Sequence, residues 1–199
     1  MPSRGDLELI AGIVESSSRV LDIGCGDGLL LDLLAKRRGV DGRGLEISQA
    51  GVNACVARGL SVIQGDADHD LVNYPDDTFD YVILSQTIQA THRPAEVLQQ
   101  MLRIGKRAIV SFPNFGHWRV RLYLMYAGRM PVTRSLPDSW HTTANIHFCT
   151  IRDFTALCED QRWHITQALA LKSDGSRAGP VGGWANMLAP QALFVLERV

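Results

Sequence analysis

Three carboxylates are set apart by where they fall. Asp22, Glu46 and Asp66 each stand at or just past the end of an apolar run, at intervals of roughly twenty residues. Asp22 lies within Val20-Leu21-Asp22-Ile23, and Gly24, Gly26 and Gly28 follow at alternate positions, with Cys25 between the first two. Glycines so placed let the backbone take φ > 0 and let a ligand approach the main chain closely. Leu29, Leu30, Leu31, Leu33 and Leu34 then open a helix whose free N–H groups point at the same ligand. A dinucleotide fingerprint has its third glycine one place later, which is Leu29 here. An anion at Asp22 would also repel a pyrophosphate and attract an ammonium. Glu46, beside Ile47 at the end of the second apolar run, can accept two hydrogen bonds from ribose hydroxyls. Acids in that place serve several adenosine-type ligands. The plain alternative is a glycine turn without a ligand and an ordinary acidic turn at Asp66.

These groups converge only if strands and helices alternate around them. Residues 6–16 carry Leu7, Leu9, Ile10, Ile13 and Val14, which predicts a short amphipathic helix with Asp6 as its N-cap. Strands are expected at 20–23, 40–47, 60–64, 79–85 and 107–112. The fourth is nearly continuous in apolar residues, as a parallel strand covered on both faces should be. Arg37-Arg38-Gly39 stops the helix after the first strand, Ser48 caps the next, and Pro94 opens the one before the fifth strand. This alternation predicts a doubly wound α/β domain with a mostly parallel sheet. Ligands sit at the carboxyl ends of such strands, so Ser85, Gln86 and the loop to His92 should border the reacting position.

Residues 115–147 differ in texture, being rich in Trp, Tyr, Met, Arg and His. A helix fits 118–127, whereas 128–143, with Pro131 and Pro137, fits no regular element. The segment reads as an insertion or lid within a single domain spanning 1–199. Thr150-Ile151-Arg152-Asp153 is a capping box with Asp in place of Glu. A sixth strand is expected at 163–171, a glycine-rich loop at 173–190 and a seventh strand at 192–197, giving an antiparallel edge.

Composition narrows the classes. The chain has 199 residues, 46% hydrophobic and 21% charged, with net charge −1, which suits one domain with a full core and gives no footprint for nucleic acid. The basic cluster Arg119, Arg121, Arg129 and Arg134 is local and fits a solvated face. No apolar run would span a bilayer and the first residues lack a signal-peptide core, so a cytoplasmic protein is expected. Cys25, Cys55, Cys149 and Cys158 form no C-x-x-C and are read as free thiols. His92, His117, His141 and His147 are candidate general bases, with loop surface and packing as their ordinary roles. His141 and His147 have no carboxylate neighbour at ligand spacing, so no metal site is expected.

With its strand-end acid, D-x-G-x-G-x-G resembles motif I of the class I S-adenosylmethionine (SAM) methyltransferases. That resemblance implies a Rossmann-like, seven-stranded sheet with an antiparallel last strand, and SAM or S-adenosylhomocysteine (SAH) as cofactor. It implies that Asp22 faces the amino end of the methionine moiety and that Asp66 and Ala67 meet the adenine. The implied cofactor set is Asp22, Gly24, Cys25, Gly26, Glu46, Ile47, Asp66, Ala67, Ser85 and Gln86. The motifs Leu84-Ser85-Gln86-Thr87-Ile88-Gln89-Ala90, Ser111-Phe112-Pro113-Asn114-Phe115-Gly116-His117-Trp118 and Asn145-Ile146-His147-Phe148-Cys149-Thr150 are similar to those of the MetW family of methionine biosynthesis. This narrower resemblance, from about Arg4 to near the C-terminus, implies a methyltransferase fold that works with a homoserine O-acyltransferase and leaves room for a homo-oligomer. The other reading is a SAM-dependent methyltransferase with an unknown small acceptor. Ser85-Gln86-Thr87-Ile88 stands where N-methyltransferases often carry an Asn/Asp-Pro-Pro-aromatic motif.

Overall fold

The computed structural model describes residues 5–133, 136 and 138–198; Arg4, Arg134 and Pro137, named above, lie outside them. Along the chain come α1 (Gly5–Ile13), β1 (Arg19–Ile23), α2 (Leu29–Arg38), β2 (Asp41–Glu46), α3 (Gln49–Ala57) and β3 (Ser61–Gln64). Then follow the one-turn α4 (Ala67–Asp70), β4 (Phe79–Ser85), α5 (Pro94–Ile104), β5 (Gly105–Pro113), α6 (Trp118–Ala127) and α7 (Ile151–Asp160). β6 (His164–Leu171), β7 (Arg177–Pro180), α8 (Ala185–Leu188) and β8 (Gln191–Glu197) complete the chain. The strands form one sheet in the order β3-β2-β1-β4-β5-β8-β6-β7. β1 to β5 pair in parallel, and β8 runs antiparallel to both β5 and β6. From β1 the chain works outward through β2 and β3, then resumes on the other side at β4. The crevice between β1 and β4 is therefore a topological switch point, where open α/β sheets bind ligands.

Local chemistry accounts for the element ends. Gly39 ends α2 in the left-handed region and donates its N–H to the Ala35 carbonyl, behind the basic turn Lys36, Arg37 and Arg38. Ser48 caps α3, and Thr150 with Asp153 forms both arms of the capping box that opens α7. Side chains alternate across β1 and thereby divide the core. Leu21 and Ile23 join Val82, Leu84, Val110 and Phe112 against α5 and α7. Val20 joins Tyr81, Ile83 and Ile109 against α1 and α2. Each fully buried aliphatic side chain contributes about 1.5–3 kcal/mol.

Two expectations need correction. The sheet has eight strands, not seven, because the glycine-rich stretch folds back as β7, pairing Leu169 with Pro180 and Leu171 with Arg177. A proline is tolerated there because β7 is an edge strand. Asp6 is not the N-cap of α1. The helix includes Gly5, whose N–H is bonded to the Asp174 carbonyl, and Asp6 is buried with its carboxylate accepting the Ser85 hydroxyl at 3.3 Å. Asp66, just past β3, caps α4. In segment 128–143, by contrast, the described residues form neither helix nor strand, as their sequence suggests.

Candidate functional site

The glycine turn after β1 is built around Glu46. One Glu46 carboxylate oxygen accepts the Gly26 N–H at 2.8 Å and the other accepts the Ser48 N–H at 2.9 Å. The side chain thus ties the end of β2 to the turn and keeps a lone pair on each oxygen for a further donor. Gly24 sits at φ 66°, and a Cβ there would lie 2.6 Å from the Thr87 methyl, so the turn and the loop after β4 meet across a side-chain-free backbone. Asp22 is only 2% exposed and lies in register between Gly44 of β2 and Ile83 of β4, at the switch point itself. Ile47, immediately after Glu46, is 65% exposed and offers an apolar ledge at the rim.

Gly51 is a determinant that the sequence reading passed over. A Cβ on it would meet Glu46 Cγ at 2.7 Å and the Gly26 carbonyl oxygen at 2.8 Å. Only glycine lets α3 lie this close to the carboxylate and the turn. Asp68 is another. Its two oxygens accept the His92 and Arg93 N–H groups, each at 2.8 Å, holding the loop before α5 against α4. Asp66 already accepts the Asp68 N–H at 2.9 Å and lies 3.1 Å from His69 Nδ1. Ala67 begins α4 beside it.

At the carboxyl ends of β4 and β5 a polar chain replaces the apolar core. Ser111 donates its hydroxyl to Ser85 Oγ at 3.3 Å, and Ser85 in turn donates to Asp6. Gln86 holds φ 57°, a conformation disfavoured for a side-chain-bearing residue. Its N–H donates to the Ser111 carbonyl at 2.9 Å, and its amide reaches Gln191 Oε1 at 3.4 Å. The loop from Gln86 also receives the far limb of segment 115–147, since the Ile146 and His147 N–H groups donate to the Gln89 carbonyl.

None of the thiols is set up as a nucleophile. Burial pushes the Cys25 thiol up, as it does Cys55, which lies 3.7 Å away, sulfur to sulfur. Cys149 and Cys158 are pushed up to about 12 by burial. Burial and then the neighbouring Arg119 charge hold His117 below the usual imidazole range. Its Nδ1 accepts the Arg119 N–H at 3.3 Å. The His147 ring lies 3.3 Å from the His92 carbonyl, and exposed His141 lies 3.3 Å from the hydroxyl of half-buried Ser139. Among the described residues no group of His, Cys, Asp and Glu is placed to hold a metal ion, and no helix is long and apolar enough to cross a membrane.

The turn, the two strand-end acids and the polar chain at β4–β5 form one continuous rim at the switch point. Comparison with known proteins agrees with this arrangement. The family model described as methionine biosynthesis protein MetW matches residues 4–196. A bifunctional methionine biosynthesis protein MetXA/MetW from Rhodopirellula baltica is 37% identical over 186 residues, 85% of this chain and 30% of that protein. The chain thus spans less than a third of that relative's length. Among solved structures, the Haloferax volcanii complex between the Trm112 methyltransferase activator and a methyltransferase aligns with a TM-score of 0.71 at 17% identity, covering 98% of this chain and 89% of that one. A SAM-dependent methyltransferase from Thermotoga maritima aligns at 0.68 and 18% identity, covering 98% and 88%. At such identities the likeness carries the fold alone.

Proposed function

We propose, from the premise that this chain belongs to the methionine biosynthesis protein MetW family, that it binds SAM or SAH and acts with a homoserine O-acyltransferase. The observation that carries the partnership is the relative in which MetXA and MetW are joined in one chain. Such a fusion holds two modules at high effective concentration, which favours modules that work in contact. The surface supports the same reading. Only Val120 of α6 is buried, while Trp118, Tyr123, Met125 and Tyr126 are 39%, 43%, 64% and 80% exposed. Aromatics and arginine, here with Arg129 at the end of the helix, are the residues that interface hot spots favour.

The nucleoside half of the proposal rests on Glu46 and its surroundings. The residues present fit the group: Glu46 retains acceptor capacity for two ribose hydroxyls, Ile47 offers an apolar ledge for a purine, and Asp22 supplies the buried anion for an ammonium. Asp66, Ala67, Gly24, Cys25, Gly26, Ser85 and Gln86 complete the set. Bound SAM would bring an electrophilic methyl group. The intact acids favour a second reading on that account, methyl transfer to an unknown small acceptor, although His117 Nδ1 already accepts the Arg119 N–H. Calorimetric titration with SAM and SAH tests the shared premise. Hydrogen bonds to a charged acceptor contribute roughly 1.5–3 kcal/mol each, so Glu46→Ala should weaken binding at least about tenfold. No heat of binding for either nucleoside at millimolar concentration would end the proposal's nucleoside half.

A further inference from the structure

A cavity of about 300 Å³ opens at the carboxyl ends of β5 and β6, and neither Glu46 nor the glycine turn contributes to its wall. That volume is at the lower end of small-molecule sites. Its chemistry is one-sided. Arg119 and Lys172 bring two positive charges, and among the described residues no acidic side chain lines the wall and neither cation forms an ion pair. Asp174, the acid nearest Lys172 in sequence, is engaged with Ser176, whose N–H it accepts at 2.9 Å. The other polar groups are largely spent. Asn114 donates to the Asn186 and Ala189 carbonyls and accepts from Gly116 and Ile151, and His117 Nδ1 accepts the Arg119 N–H. The amides of Arg119 and Val120 are likewise bonded to His117. The apolar part of the wall comes from buried Val120 and Leu136, with Pro190 beside them.

We propose that this cavity binds a small organic anion, a carboxylate on a short aliphatic body, with Arg119 and Lys172 taking the charge and Val120, Leu136 and Pro190 the chain. The site is separate from the nucleoside rim and its occupancy does not require SAM. Two cations without an ion-pair partner among the described residues attract an anion, and a bidentate guanidinium suits a carboxylate. The apolar wall distinguishes such a ligand from a bare inorganic anion, which would leave Val120 and Leu136 against water.

Calorimetry or NMR titration of the full chain with hexanoate, inorganic phosphate and hexylamine tests this. Hexanoate should bind saturably at one site, phosphate at least about tenfold more weakly, and hexylamine not at all. The double variant Arg119→Gln/Lys172→Gln, altered only at exposed side chains, should keep its melting temperature and lose at least about tenfold in hexanoate affinity. Raising salt should weaken hexanoate binding. Absence of saturable binding up to about 10 mM, or equal affinity in the double variant, overturns the proposal. Hexylamine binding as well as hexanoate overturns the charge assignment, and phosphate binding as well as hexanoate overturns the aliphatic body.

Discussion

Glu46 is the residue whose role reaches furthest, because its carboxylate shapes the glycine turn and keeps acceptor capacity on each oxygen. Its neighbour Gly51 makes a sharper test than Glu46 itself. Gly51→Ala raises helix propensity by up to about 1 kcal/mol, so on local grounds α3 should gain stability. The new methyl would strike Glu46 Cγ and the Gly26 carbonyl, and a backbone oxygen cannot swing aside as a side chain can. The expected outcome is a melting temperature little changed and SAM affinity reduced at least about tenfold. Unaltered affinity would mean that the turn tolerates the shift and that Glu46 is not fixed by its bonds to Gly26 and Ser48. The three acids were legible because a charge at the end of an apolar run is costly to place unless something binds it, and at Asp22 the glycines that follow mark the same spot. Gly51 and Asp68 were not legible, and neither was the left-handed backbone of Gln86, a residue marked only by its place after β4. Their importance lies in contacts with residues distant in sequence, and a glycine in a helix or an acid in a turn carries no mark of such contacts.

At the scale of elements, β4 connects the β1–β3 side of the sheet to β5. Asp80 in β4 accepts the Arg19 N–H of β1 at 2.9 Å and the Lys106 ammonium of β5 at 2.7 Å. The Lys106 bond first, then the Arg19 amide, holds its carboxyl below the ordinary range. A depressed folded-state value means that Asp80 stabilises the fold above the ordinary carboxylate pKa, about 3.9, and that this contribution is lost as pH falls through the folded value. Urea unfolding of Asp80→Asn should therefore show a shallower loss of stability below pH 4 than the parent chain; parallel curves would contradict the linkage. Most element positions follow from local rules, such as the capping box at Thr150 and the glycine stop at Gly39. The strand at Arg177–Pro180 does not, because its pairing is supplied by β6 and its own residues lack alternation. α6 was legible as a helix, but its exposure was not, since aromatic residues serve cores and interfaces alike. If residues 115–147 act as a lid or docking segment, hydrogen exchange should open α6 far sooner than β1 in the isolated protein. Equal protection of the two would make α6 an ordinary part of the fold.

For the whole molecule, the sheet order and the switch-point rim establish a methyltransferase-like architecture, and family membership ties it to methionine biosynthesis. Fold alone does not assign chemistry. Only α1 precedes β1 among the described residues, and much of it packs against α2 and the sheet face, so a partner seated on α6 would supply further cover. Were SAM to alter the affinity for that partner, the partner would alter SAM affinity by the same factor. The most direct measurement mixes this purified chain with a purified homoserine O-acyltransferase and follows homoserine acylation, with and without the chain, alongside binding of the two proteins. The account predicts a complex, a changed acylation rate, and association weakened by about 2 kcal/mol or more when Tyr126 is replaced by alanine. An acyltransferase that neither binds the chain nor changes its rate would contradict it.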